Sequence, residues 1–198
     1  LSSSSAASDV YKRQILSILN PQIKSLSMNC VYRNYLLSSL FAVIFTYGFH
    51  ELGHWFAYTL MGYDASYTIT TVKLLDVESV LTKRELFFQN IVGPLFTLLQ
   101  VFIFYNIMTI NKIKLLYPFV MTPFIFRFLA GIVFFNQAVD EGSISILLGW
   151  GSTIGFILML SILGIFCYKA IKNNHITKQM NLLSLLVALG VIGILYFI

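Results

Sequence analysis

The residues in this chain best suited to chemistry are His50-Glu51-Leu52-Gly53-His54. On a helix, positions i and i+4 share a face, so both imidazoles can reach one metal ion. Glu51 stands where it can take a proton from a water on that ion. Two neutral ligands and a carboxylate base are the parts that zinc-assisted hydrolysis uses. Given the His and Glu frequencies of this chain, the pattern would arise by chance roughly once in a thousand such sequences. The plain alternative is a pair of helix histidines hydrogen-bonded to Glu51.

The setting sharpens the reading. Across residues 35–63, Glu51 is the only formally charged side chain. Polar groups placed in an apolar span are costly to keep unless they are paired or used. Zinc in a catalytic site expects a third protein ligand and one position left for water. Asp140 and Glu141 are the only carboxylates in the second half of the chain. Neighbours on a helix point about 100° apart, so one of the two can face a metal. Asp140 is the expected ligand, with Glu141 the alternative ligand or a supporting group behind it. The competing reading makes both acids a helix start favoured by the dipole. His175 lies in a basic polar loop and reads as solvated.

These residues need a scaffold, and the composition says which kind. Of 198 residues, 58% are hydrophobic and 11% charged, with a mean hydropathy of +0.81. A soluble domain carries roughly twice that charge. Apolar runs over 35–60, 85–110, 115–135, 143–171 and 181–198 are each long enough to cross about 30 Å of hydrocarbon. The expected fold is therefore an all-α polytopic membrane protein of about five transmembrane helices. Residues 66–80, rich in Thr, Tyr and Val, predict a short strand or hairpin at the membrane edge between the first two. Gly93-Pro94 interrupts the second run, with Asn90 one turn earlier. The third run holds Pro118, Pro123 and an intramembrane Arg127. Arg127 reads as a partner for Asp140 or for a developing oxyanion. Its alternative is snorkelling, or pairing with a carbonyl freed by Pro123. Gly149-Trp150-Gly151 is a possible bend in the fourth run. Trp55 and Trp150 read as packing or interfacial residues.

The net charge of +5 fits basic loops better than nucleic-acid binding, since no dense basic cluster with interleaved aromatics occurs. Cys30 and Cys167 make no disulfide framework. Residues 1–14, LSSSSAASDVYKRQ, resemble translated adapter or vector sequence, which sets them apart from the functional argument. Met28 is a candidate start. Residues 1–34 are expected to be non-native or poorly ordered, and 35–198 a single membrane-embedded domain.

Taken together, His50 to His54, Asn90 with Gly93-Pro94, and Asn136 to Gly142 resemble the site-2 protease-like intramembrane zinc metalloproteases. That family pairs an HExxH helix with a later Asp, often in an Asn-Pro-Asp-Gly context. Here the second motif is Asn136-Gln137-Ala138-Val139-Asp140-Glu141-Gly142, without the Pro. Thr97 stands where an Asn often follows the Gly-Pro segment. The resemblance spans residues 35–171. It implies zinc held by His50, His54 and Asp140, with Glu51 as general base. Asn90 or Arg127 would assist the oxyanion. The substrate would be a membrane-protein or membrane-proximal peptide, unwound and pairing with the strand-like segment. It implies a multi-pass protein of a prokaryotic cell membrane, with the lipid bilayer as its surroundings. Basic loops at Lys112, Lys114, Lys169, Lys172 and Lys178 put the N-terminus inside by charge, whereas the family runs its HExxH helix the other way. Two other readings stay open: a catalytically silent relative that binds membrane segments, and a transporter-like polar relay through His50, His54, Asp140 and Arg127.

Overall fold

A computed structural model describes residues 3–75, 81–133 and 139–197, with side chains over 31–75, 81–132 and 139–194. Its helices are α1 (Ser3–Leu60), α2 (Lys83–Asn111), α3 (Tyr117–Val133), α4 (Asp140–Leu147), α5 (Ser152–Asn174) and α6 (Lys178–Phe197). Two short strands, β1 (Ala65–Tyr67) and β2 (Val72–Leu74), lie between α1 and α2. By internal contacts the chain falls into two units, Leu1–Leu37 and Ser38–Ile198. The second contains every residue discussed below.

Four helical stretches are long and apolar enough to cross a bilayer: Val31–Leu60, Lys83–Asn111, Lys114–Ile132 and Ser152–Asn174. The apolar part of α6, Lys178–Ile194, is shorter. The all-α polytopic architecture with a strand pair after the first span is thus the observed one. The run over 143–171 is not a single span. It divides into α4 and α5 at Gly149-Trp150-Gly151, where both glycines adopt positive φ, 77° and 80°. Hydropathy carries straight through this point, but the left-handed backbone ends one helix before the next begins.

β1 and β2 pair antiparallel, with Ala65 opposite Leu74, Ser66 opposite Lys73 and Tyr67 opposite Val72. This is shorter than the strand-like stretch of 66–80, and residues 76–80 lie outside the described residues. The hairpin is tied to α1 twice. The Trp55 indole donates to the Ala65 carbonyl at 3.2 Å, and the Tyr67 hydroxyl donates to the Gly48 carbonyl at 2.8 Å. Trp55 is therefore more than a packing residue.

Close approach and buried amides hold the helices together, as expected where lipid gives no hydrophobic drive. A Cβ at Gly53 would stand 2.8 Å from the Val92 carbonyl and 3.0 Å from the Gly93 Cα, so α1 and α2 meet backbone to backbone. Pro123 has no N–H for the Phe119 carbonyl one turn earlier. Gln100 on α2 supplies that donor at 3.0 Å and also donates to Thr46 on α1 at 2.8 Å. One buried side chain thus stitches three helices. Thr82 and Glu85 form a capping box at the start of α2.

Candidate metal centre

α1 presents His50 and His54 on one buried face, as the spacing requires. α4 begins at Asp140 and brings its carboxylate to them. His50 Nε2 lies 3.0 Å from His54 Nε2 and 3.0 Å from Asp140 Oδ2. His54 Nε2 lies 3.3 Å from the same oxygen. A tetrahedral ion with bonds of about 2.0–2.1 Å separates its ligand atoms by about 3.3 Å. The observed triangle is one face of such a tetrahedron. These three residues form the group able to hold a metal ion among the described residues.

The outer ring nitrogens have polar partners. His54 Nδ1 lies 2.8 Å from the Gln89 carbonyl on α2, which can only accept, and 3.1 Å from the Gln89 side-chain nitrogen; the nearer carbonyl favours a hydrogen on Nδ1. His50 Nδ1 lies 3.0 Å from Thr97 Oγ1. The Thr97 hydroxyl donates to the Gly93 carbonyl at 3.2 Å, so its oxygen accepts from His50 Nδ1–H. Both Nε2 atoms face Asp140 Oδ2. Three ligand atoms converge there, an arrangement able to hold a metal ion. An imidazole whose other nitrogen donates to a fixed oxygen is the usual form of a metal-binding histidine.

Arg127 Nη2 sits 2.7 Å from His50 Nδ1 and 2.8 Å from its Nε2. A guanidinium can only donate, so Arg127 brings N–H groups to the same side of His50 that Asp140 approaches. It also reaches Asp140 Oδ2 from Nη1 and Nη2, both at 3.4 Å, and Glu141 Oε1 from Nε at 3.2 Å. The partner expected for Asp140 is thus in place, and the carbonyl freed by Pro123 is taken by Gln100 instead. Glu141 is not in the triad. It turns to Arg127, as its position one residue along a helix dictates.

A cavity of about 210 Å³ opens on the triad, lined by His50, Glu51, His54, Thr70, Thr71, Val72, Gln89 and Asp140. Glu51 shares this cavity with all three metal-binding groups, and Val72 at the start of β2 lines it as well. Asn90 is buried on α2. The cavity is lined by its neighbour Gln89 rather than by Asn90. Asn136, the first residue of the Asn-to-Gly motif, lies outside the described residues. His175 ends α5, where its carbonyl accepts from Lys114, and stands apart from the triad.

Gly93 is the tightest point of the site. A Cβ there would fall within the contact shell of His54 Nε2 and Cε1 and of His50 Cε1. Both imidazoles therefore pack onto bare backbone. Gln89, Gly93 and Thr97 were not read from the sequence as site residues. They do carry a signal, recurring every four residues as a small or polar stripe on an apolar helix.

No protein-family model, curated protein or solved structure matches the chain.

Proposed function

We propose that this protein is a membrane-embedded zinc metalloendopeptidase, similar in its site to the site-2 protease-like enzymes. The observation that supports the reading is the convergence of His50, His54 and Asp140 ligand atoms, with Glu51 in the same cavity. Zinc bound there would supply Lewis acidity to a water and to a peptide carbonyl. His50 and His54 hold their lone pairs toward it because Thr97 and Gln89 hold their opposite nitrogens. Glu51 takes the proton of the attacking water and delivers it to the leaving amine.

The cavity wall made by Thr70, Thr71 and Val72 is the hairpin turn and the start of β2, whose extended backbone runs on to Leu74. An unwound peptide laid along it can hydrogen-bond to main chain while its carbonyl faces the triad. The substrate class is accordingly a membrane protein or a membrane-proximal peptide, cut within or near the bilayer that four helices of this chain are long enough to cross.

A polar relay is the second reading, and the contact of Arg127 with Asp140 favours it. A relay needs no stoichiometric metal. Purified protein should hold about one zinc per chain and cleave a transmembrane peptide. Loss of zinc in His54→Ala should accompany loss of cleavage. Wild-type protein without zinc after reconstitution, or cleavage unaffected by His54→Ala, would remove the peptidase reading.

A further inference from the structure

Asp140 and Glu141 are adjacent acids in the first turn of one helix, yet only Asp140 meets the histidines. Arg127 stands between them. Its Nε lies 3.2 Å from Glu141 Oε1, with the two side chains 4% and 5% exposed. Its Nη1 and Nη2 lie 3.4 Å from Asp140 Oδ2. A guanidinium is planar and its five N–H groups point in fixed directions. The contact with Glu141 is an ion pair without a directed hydrogen bond, so Glu141 draws the guanidinium by charge to a place from which both Nη atoms reach the oxygen that faces the imidazoles.

The charges fit the same arrangement. Arg127 cannot shed its proton, so a buried position obliges it to find carboxylates. Glu51, Asp140 and Glu141 contribute three negative charges around the site, and Arg127 one positive. A bound dication brings the set to neutrality, the condition under which an apolar interior tolerates it. Take Glu141 away and Arg127 must draw on Asp140 alone, in competition with the metal.

We propose that Arg127, anchored by Glu141, is a positioning residue that presents Asp140 Oδ2 to the two histidines and so decides which of the two acids becomes the ligand. This rests on the metal-centre part of the proposed function and is independent of what is hydrolysed.

Cobalt(II) titration of the full chain in detergent tests it, read by visible absorption, whose intensity reports tetrahedral coordination. The wild type should give a tetrahedral spectrum. Arg127→Lys keeps the charge but loses the fork. Glu141→Gln keeps the shape but loses the anchor. Each should weaken cobalt binding about 10–100-fold and alter the spectrum, while still saturating at high cobalt. The double variant Arg127→Gln with Glu141→Gln should bind no more weakly than the weaker of the Arg127→Gln and Glu141→Gln singles, since both act through one pair. It also leaves neither member of the Arg127–Glu141 pair charged without the other, so it supplies the reading if a single variant fails to fold.

Wild-type affinity and spectrum in both singles would overturn the proposal. So would losses that multiply in the double, which would make the two residues independent. Abolished binding in Glu141→Gln would make Glu141 a ligand and overturn it too. A wild type with no tetrahedral spectrum fails at the earlier step, removing the metal centre itself.

Discussion

Gly93 of α2 lies so close to the imidazole of His54 that no side chain fits between them. The metal-binding face of α1 is thus shaped by a residue that offers no ligand, and this relationship is directly testable. Gly93→Ala should push both rings off the triangle they form with Asp140. We expect zinc content to fall from one per chain to near zero, with helical content retained. Metal analysis beside circular dichroism checks it, and a zinc-replete Gly93→Ala protein would mean that the rings have room to spare.

Thr97 offers a milder change. Thr97→Val keeps the volume but removes the oxygen that accepts from His50 Nδ1. The tautomer is then no longer fixed, and zinc affinity should fall about 10–100-fold. Thr97→Ser keeps the hydroxyl and should stay near the wild type. Competition with a chromophoric chelator measures both, and equal affinities for Val and Ser would assign Thr97 to packing alone.

Replacing the base should separate metal from chemistry. Glu51→Gln preserves shape, but it cannot take a proton. Peptide cleavage should fall by about 10²–10⁴ while zinc remains at one per chain. Full activity in this variant would hand the base role to another group.

The two adjacent acids should part company. Asp140→Ala removes one corner of the triangle, so zinc should be lost. Glu141→Ala should keep one zinc per chain at saturating metal, though bound less tightly. The opposite pattern would make Glu141 the ligand.

Much of this site is legible in the residues themselves. His50 and His54 are set by a spacing of four, and Asp140 stands out as an acid with few others near it in the apolar half of the chain. Thr97, Gly93 and Gln89 are harder, because each is unremarkable alone. Their meaning depends on which face of α1 their stripe meets, and that is decided by the backbone approach at Gly53 and Gly93. The role of Gln100 is readable only with Pro123, since the carbonyl it satisfies is orphaned by a proline on another helix. The division of 143–171 into α4 and α5 is hidden because Trp150 keeps hydropathy high between two glycines. The hairpin is shorter than its composition suggests, for propensity marks where extended chain is tolerated, not where a partner strand exists.

Gly155, on a helix that contributes nothing to the triad, leaves no room for a Cβ against the Glu141 carbonyl, and its amide donates to Ser145 Oγ at 2.7 Å. α5 thereby seats the helix that delivers one of the three ligands, while the other two already stand together on α1. Binding and seating are then thermodynamically linked: whatever free energy α5 lends to metal affinity, the metal returns as adhesion between α4 and α5. A bulkier residue at 155 would be felt as leakage of the ion, and removal of the ion as loosening of α4 from a helix that never touches it.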